Sequence, residues 1–306
     1  MSDLNTDVIA FLAPTERLTE LLHEVEDYIE GIYGDLVVCD RAVPLPNWVQ
    51  NIWYNPVWIK ISSIKDASKK LRMIQRNWAC YSYDMHRRAA LIQDNLPHVS
   101  AKPVKFPTPA PDAPLGSWCL IEKDLILASD TCSSPFPNGE VHFIEDKTTP
   151  PTRAYLKLWE ALTVIGKYPK SGETCIDLGS CPGGWSWVLH ELGANVISVD
   201  KAPLAPHIAQ LSRLKFRKTS AFGLDPERVG PVDWMFSDII CYPDRLLRLI
   251  NNWKNAGMAR NIVCTVKLQG ETDFDAIKAF TDSDPDGQLI HLYHNKHELT
   301  WVWLSH

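Results

Sequence analysis

The 306-residue chain predicts an α/β protein. A smaller N-terminal α/β domain precedes a doubly wound, mostly parallel seven-stranded sheet whose last strand is reversed. Three observations predict this. From Thr152 onward, short apolar runs alternate with helical patterns of about ten to fifteen residues, the rhythm of βαβ units. The run Thr174–Leu178 empties into a loop containing Gly179, Gly183 and Gly184, and a helical pattern follows at once. Finally, Leu289–Tyr293 and Leu299–Leu304 are joined by only the few residues around Asn295–His297. A parallel crossover needs about a dozen, so the last strand must turn back.

The elements follow in chain order. Val8–Leu12 reads as a strand. Thr15–Glu30 reads as an amphipathic helix with Leu18, Leu21, Leu22, Val25, Tyr28 and Ile29 on one stripe. Gly34–Cys39 and Val57–Ile61 read as strands, Ile64–Arg76 and Tyr83–Asn95 as helices. Residues 1–96 thus form an α/β module, ferredoxin-like or a reduced THUMP-like unit. Residues 97–115 carry six prolines, a density that no helix tolerates. Residues 97–145 therefore read as a connector holding one hairpin, Ser117–Ile121 with Asp124–Ser129. The large domain spans 146–306. Its helices are Thr152–Ile165, Trp185–Leu192, Pro243–Ala256 and Asp273–Thr281. Its strands are Thr174–Leu178, Ala194–Val199, Phe216–Thr219, Val232–Ser237, Asn261–Val266 and the reversed pair.

Charge is uneven. The net value is −6, yet residues 1–40 hold ten carboxylates against Arg17, while residues 41–105 hold eleven Lys/Arg against Asp66, Asp84 and Asp94. Local charge, not the global sum, governs phosphate binding. Lys69, Lys70, Arg72, Arg76, Arg87 and Arg88 stand among Trp78, Tyr81 and Tyr83, and cations interleaved with aromatic faces suit RNA. No apolar run approaches the roughly 18 residues of a membrane span, and Met1–Asp7 has no basic or apolar signal region. Eight cysteines include no Cys-x-x-Cys pair, so no metal site is expected. Scattered thiols suit a reducing cytoplasm. Oligomeric state is left open.

The glycine loop is the most informative stretch. Asp177-Leu-Gly179-Ser180-Cys181-Pro182-Gly183-Gly184-Trp185 is not the Gly-x-Gly-x-x-Gly that cups a pyrophosphate. It tightens against a nucleoside without cradling a diphosphate. A second strand ends at Asp200, 21 residues beyond Gly179, where a carboxylate is placed to hold a ribose diol. That combination points to S-adenosylmethionine, with Asp177, Gly179, Ser180, Cys181, Pro182, Gly183, Gly184, Trp185, Asp200, Lys201, Ser220 and Asp238 as candidate cofactor contacts. A parallel sheet closed by one reversed strand is likewise the architecture of class I S-adenosylmethionine-dependent methyltransferases.

Four charged residues sit where strands end or helices begin. Lys157 lies in the helix before the first strand of the large sheet, Asp238 and Lys267 follow two strands, and Glu298 opens the last one. Ligands of open α/β sheets bind beyond the carboxyl ends of the strands, and a reversed strand brings its start to that edge. With the glycine loop, the lysine in Arg-Ala-Tyr-Leu-Lys157-Leu, Ser-Asp238, Val-Lys267-Leu and Glu298, residues 150–304 resemble the FtsJ/RrmJ-like ribose 2′-O-methyltransferases. Within them the likeness is to the RlmM-like branch acting on large-subunit ribosomal RNA. The N-terminal half resembles that branch's RNA-binding module only loosely and is shorter. Ser220-Ala221-Phe222 departs from relatives that carry an aspartate near the adenine.

The resemblance implies a catalytic tetrad, Lys157, Asp238, Lys267 and Glu298, acting on a ribose 2′-hydroxyl of RNA, with rRNA as the expected partner. The chemistry is consistent with that. A 2′-hydroxyl must lose its proton as it attacks a methyl sulfonium. A lysine serves as base only where burial or a nearby cation weakens its hold on its own proton. Lys157 is the candidate cation and Lys267 the candidate base. Other features point less sharply. His291, His294 and His297 recur every third residue, but on a strand and turn their side chains diverge. Cys241 is followed, not preceded, by a Pro-containing segment, unlike a Pro-Cys nucleophile loop. Ile239-Ile240-Cys241 lacks the Pro-Pro-aromatic pattern of amino-group methyltransferases. Trp185 and Trp187, at a helix start, are expected in the core. Two alternatives stay open: a methyltransferase of small molecules or proteins, and a non-catalytic RNA-binding assembly factor.

Overall fold

The computed structural model describes residues 7–305. The first six residues of the N-terminal reading and of the 1–96 module lie outside it. Two compact units result, one comprising the chain up to Val104 with Ala110–His142, the other Lys105–Pro109 with Phe143 onward.

In the first unit, β1 (Val8–Leu12), α1 (Leu18–Val25), β2 (Ile29–Tyr33), β3 (Leu36–Asp40) and β4 (Asn51–Trp53) make an antiparallel sheet of order β2-β3-β1-β4. This is the split β-α-β order of a ferredoxin-like sheet. The second crossover helix is missing, because Pro44 and Pro46 interrupt the segment that would form it. Helix α1 is half the expected length. A short 3₁₀ turn at Glu26–Tyr28 ends it, and Ile29–Tyr33 becomes a strand instead. Gly34, at φ +65°, makes the tight turn into β3, and β-branched and aromatic side chains before it favour the pleat.

β5 (Val57–Lys60), α2 (Ile64–Ile74), β6 (Trp78–Cys80), α3 (His86–Gln93), β7 (Gly116–Glu122) and β8 (Leu125–Ser129) build a second sheet, β5-β8-β7-β6. The expected hairpin is β7 with β8. It belongs to this sheet rather than to a free connector, since β8 pairs with β5 and β7 with β6. Leu71, Ala89 and Ile92 of the two helices pack on Trp78, Trp118 and Ile126. Strands β4 and β6, three residues each, are too short to leave a readable period-two pattern.

The second unit contains α4 (Tyr155–Ile165), β9 (Thr174–Leu178), α5 (Gly184–Glu191), β10 (Asn195–Asp200), α6 (Pro206–Ala209), β11 (Leu214–Lys218), α7 (Pro226–Val229), β12 (Val232–Ser237), α8 (Pro243–Asn255), β13 (Ala259–Lys267), α9 (Phe274–Ser283), β14 (Gly287–Ile290) and β15 (Glu298–Leu304). Its seven strands run β11-β10-β9-β12-β13-β15-β14. All neighbouring pairs from β11 to β13 are parallel, whereas β15 runs antiparallel to both β13 and β14. This is the predicted doubly wound sheet with a reversed last strand.

The order turns at β9, whose neighbours β10 and β12 lie on opposite sides, so a crevice opens beyond its carboxyl end. Both faces of the sheet are covered, and the central strands are therefore apolar almost throughout. Ile176, Leu178, Met235, Cys264 and Val266 meet Leu249, Ile250 and Trp253 of α8 and Phe280 of α9. On the other face, Phe236 receives Trp185 of α5 edge-on at 6.3 Å. Pro107 and its neighbours are anchored here by Phe106, stacked on Trp159 at 4.9 Å.

Trp253 is fully buried in that core. Replacing it with Ala should lower unfolding free energy by about 3–5 kcal/mol, since the cavity left behind adds to the lost burial. Urea unfolding followed by circular dichroism would measure it, and a loss below about 1 kcal/mol would contradict the packing described.

Candidate functional site

Beyond the end of β9 the glycine loop folds back against β10 and the segment after β12. Gly179 takes φ +80°, and its amide and that of Ser180 both donate to Val199 O, at 2.9 and 3.2 Å. A Cβ on Gly179 would stand 2.7 Å from Ile239 Cβ, so both conformation and space demand glycine there. The loop borders a cavity of about 390 Å³ lined by Asp177, Gly179, Ser180, Cys181, Pro182, Trp185, Asp200 and Asp238 of the expected cofactor residues. Thr152, Ala154, Ile239, Ile240 and Lys267 complete it.

Four expected contacts fall outside this lining: Gly183, Gly184, Lys201 and Ser220. Gly183 is a packing glycine at φ +113°, whose Cβ would lie 2.6 Å from Ile208 Cγ2. Gly184 opens α5 beside Thr152. Lys201 is exposed to solvent, and Ser220 precedes the 3₁₀ turn after β11 without a side-chain capping bond. Trp185 serves the lining and the core together: it is 4% exposed and donates its indole N–H to Ala154 O at 2.9 Å. Trp187 is buried against Tyr155 and Trp159.

The cavity fits a nucleoside sulfonium. Ser180 Oγ is buried with no hydrogen-bond partner among the described residues, a polar atom left for a ligand. The Asp200 carboxylate accepts the Cys181 amide and the Ala202 amide, both at 2.9 Å. Each oxygen keeps a free lone pair, and the carboxylate is fixed in direction by the backbone on both sides. Asp177 is fully buried and accepts the Ser186 hydroxyl at 2.6 Å. Burial pushes its acid up to about 7; the Ser186 bond pulls the other way, and the charges of Asp238 and Asp200 push it further up.

Four separate elements bring the four charged residues to one point. Asp238 follows β12, and its Oδ1 accepts from both Lys157 Nζ and Lys267 Nζ, each at 3.0 Å. Lys157, from α4, also reaches Glu298 Oε1 at 2.8 Å. Lys267 also donates to the Asp238 carbonyl at 2.8 Å. Register explains part of this: Lys267 ends β13 and Glu298 begins β15 as direct cross-strand partners. All four side chains are largely buried. Burial alone would pull the Lys157 ammonium down, but Asp238 and Glu298 outweigh it, holding Lys157 above the ordinary lysine range. Only Lys267 of the two amines lines the cavity.

Sequence reasoning missed Glu160. One turn beyond Lys157 on α4, it is 2% exposed and accepts the amides of Tyr293 and His294 at 2.7 and 2.9 Å, and His294 Nδ1 at 2.6 Å. It ties the segment before β15 to α4, and so fixes Glu298 against Lys157. The signal was present: a carboxylate among Leu156, Leu158, Trp159, Ala161 and Leu162 interrupts an apolar helix. Two of the three histidines diverge, His294 to Glu160 and His297 Nε2 to Thr272 Oγ1 at 2.8 Å.

In the first unit, Lys69, Arg72, Arg76 and Arg87 are exposed on or beside α2 and α3, and Arg88 is half-buried. Lys70 is occupied by Lys60 O and Asp66. Trp78 is not a free stacking face, as the charge pattern had suggested. It is wholly buried, its indole N–H shared by Leu71 O and Gln75 O. Tyr81 OH accepts the Asp35 amide at 2.7 Å, and Tyr83 OH donates to Ile121 O.

Residues 151–286 match the model of the FtsJ-like methyltransferase family. Ribosomal RNA large subunit methyltransferase M of Halorhodospira halophila is 34% identical over 157 residues, covering 49% of this chain and 46% of the relative. The chain thus spans about half the length of that relative. The protein of the same name from Xanthomonas oryzae pv. oryzae is 27% identical over 303 residues, covering 94% of this chain and 76% of its own. Among solved structures, Aeropyrum pernix fibrillarin with bound S-adenosyl-L-methionine superposes with a TM-score of 0.34 at 15% identity, over 47% of this chain and 72% of that one. No helix among the described residues is long and apolar enough to cross a membrane.

Asp177 gives a pH prediction. Its unfolded carboxyl ionises near 3.8 and the folded one near 7. Between these values the native state holds a proton that the unfolded chain has lost, so this group lowers stability as pH rises, and the penalty is complete above about 7. Asp177→Asn keeps an acceptor for Ser186 and removes the titration. Its stability relative to the unsubstituted protein should therefore be greater at pH 8 than at pH 5. Thermal midpoints of both proteins across that range measure it; a constant difference would refute the shift.

Proposed function

We propose that this chain, whose residues 151–286 belong to the FtsJ-like methyltransferase family, transfers a methyl group to a ribose 2′-hydroxyl of RNA, with ribosomal RNA as substrate. The observation that carries this reading is the pair of lysine nitrogens on one oxygen of Asp238, at the wall of the nucleoside-sized cavity. S-adenosylmethionine, when bound, supplies an electrophilic methyl on a sulfonium. The Asp200 carboxylate would hold its ribose diol, Ser180 Oγ would gain the partner it lacks, and Gly179 would let the backbone come close.

Lys267 is the base, because it is the amine that faces the cavity. In its neutral form it takes the 2′-hydroxyl proton as the oxygen attacks and so becomes an ammonium, with Asp238 fixing its direction through both side chain and carbonyl. Lys157 remains charged between Asp238 and Glu298, and supplies the fixed neighbouring cation that the chemistry asks for. Glu298 balances it, and once Lys267 has taken the proton the cluster holds two charges of each sign. Ile239 gives the cavity an apolar, half-buried wall. Names of the relatives support ribosomal RNA as the substrate class. The exposed Lys69, Arg72, Arg76 and Arg87 fit contacts to its phosphates.

Lys267→Ala should reduce tritiated methyl incorporation into rRNA at least about 100-fold, the range expected for loss of a general base. S-adenosylmethionine binding by calorimetry should persist. Undiminished incorporation would remove Lys267 from the mechanism, and absence of cofactor binding by the unsubstituted protein would favour an assembly factor.

Arg72→Glu with Arg87→Glu should weaken RNA binding across sequences. The slope of log affinity against log salt should fall by about one for each phosphate that is no longer neutralised. Filter binding at about 50 to 200 mM salt measures this, and an unchanged slope would exclude those arginines from the RNA face.

A further inference from the structure

Directly after Asp238 the chain shows solvent two large apolar side chains. Ile240 is 78% exposed, more than any other large apolar side chain among the described residues, and Tyr242 is 67% exposed. Cys241 between them is buried, as is Pro243, which opens α8. The segment is extended at Tyr242, with φ −67° and ψ 144°. Alternate side chains therefore point inward to the core and outward past the cavity. Ile240 lines that cavity beside Asp238 and Lys267.

Neither nearby arginine covers the ring. The Arg245 guanidinium lies 3.8 Å from the centroid of Phe222, and Arg248 pairs with Asp244 at 2.9 Å. An isoleucine and a tyrosine displayed this way gain nothing from water. What they offer is an apolar surface that begins two residues after the acid that holds Lys267 and, at Ile240, borders the same cavity. A ribose presenting its 2′-hydroxyl to Lys267 carries its base on the adjacent carbon, which puts the base beside the rim that Ile240 borders. A nucleobase freed from its helix needs a face to replace the stacking it has lost, and aromatic side chains provide one.

We propose that Ile240 and Tyr242 form the platform on which the base of the acceptor nucleotide stacks. The proposal rests on the RNA reading above and adds a selectivity to it. Stacking discriminates little among bases, so the ledge selects an unpaired or extruded nucleotide rather than a particular base. Duplex RNA, whose bases cannot leave the stack without cost, is a poor acceptor.

The test uses an oligoribonucleotide with 2-aminopurine at the nucleotide whose ribose the unsubstituted protein methylates. Binding should quench its fluorescence through contact with Tyr242. Tyr242→Ala should abolish most of the quenching and raise KM for RNA about tenfold or more, the effect of losing one base–aromatic stack. The rate at saturating RNA should fall less. Tyr242→Phe, which keeps the ring, should restore both. S-adenosylmethionine affinity should not change in either variant, because Tyr242 does not line the cofactor cavity. Normal quenching and KM in Tyr242→Ala, while the unsubstituted protein methylates RNA, would overturn the platform and leave the RNA reading standing. An unsubstituted protein that methylates no RNA would overturn both.

Discussion

One carboxylate oxygen holds two lysine nitrogens, and the second unit is arranged around that contact. Asp238 Oδ1 lies 3.0 Å from Lys157 and from Lys267, so the two amines are closer than free lysines in water would stay. Such an arrangement is held in place, not sought. Removing charges of both signs from water is costly, and buried ion pairs seldom stabilise a fold relative to apolar packing. The compensation is geometric: a cluster that cannot rearrange without leaving a charge unpaired. Lys157 is tied at both ends by carboxylates. Lys267 is tied on one side only, to Asp238, and its other side faces the cavity.

Topology delivers these groups without long loops. β12 and β13 are adjacent and parallel, so Asp238 and Lys267 emerge at the same edge. A parallel seventh strand would carry its amino end to the opposite edge. The reversed β15 instead brings Glu298 opposite Lys267 in register. The segment before β15 then needs its own anchor, which Glu160 provides by accepting two amides and an imidazole. Helix α4 thus contributes twice, through Lys157 to the cluster and through Glu160 to the strand that completes it.

Where the sequence was legible, long-range packing and local pattern agreed. β9 and β12 fall on the expected residues because their apolar runs end at glycine or acid on one side and polar turns on the other. The reversed strand was legible from loop length alone. α1 was overextended because Tyr28 and Ile29 continue its stripe at helical spacing, while pairing with β3 is a long-range gain that periodicity does not register. The hairpin at β7 and β8 was found, but its place in a sheet was not, since its partners are a four-residue and a three-residue strand. In the glycine loop the sequence showed that glycines were needed, but not their division of labour. Gly179 faces the cavity, whereas Gly183 and Gly184 admit Ile208 and Thr152, and only coordinates separate a glycine that makes room for a ligand from one that makes room for a helix.

The electrostatics of the cavity argue for the kind of ligand it receives. Asp177, Asp200 and Asp238 all contribute to its lining; burial makes the first a weaker acid, and the charges of Asp238 and Asp200 add to that by repelling its ionised form. A phosphate or pyrophosphate entering this space would meet the same repulsion, with Lys267 as the one lysine of the lining and already bound to Asp238. A cation entering would relieve it. The loop lacks the glycine spacing that turns amides toward a diphosphate, and its Cys181 amide is committed to Asp200. Backbone geometry and side-chain charge therefore exclude the same class of ligand for independent reasons. An acidic lining of this kind favours a ligand with positive charge over one with negative charge, which is the property that the proposed methyl donor brings.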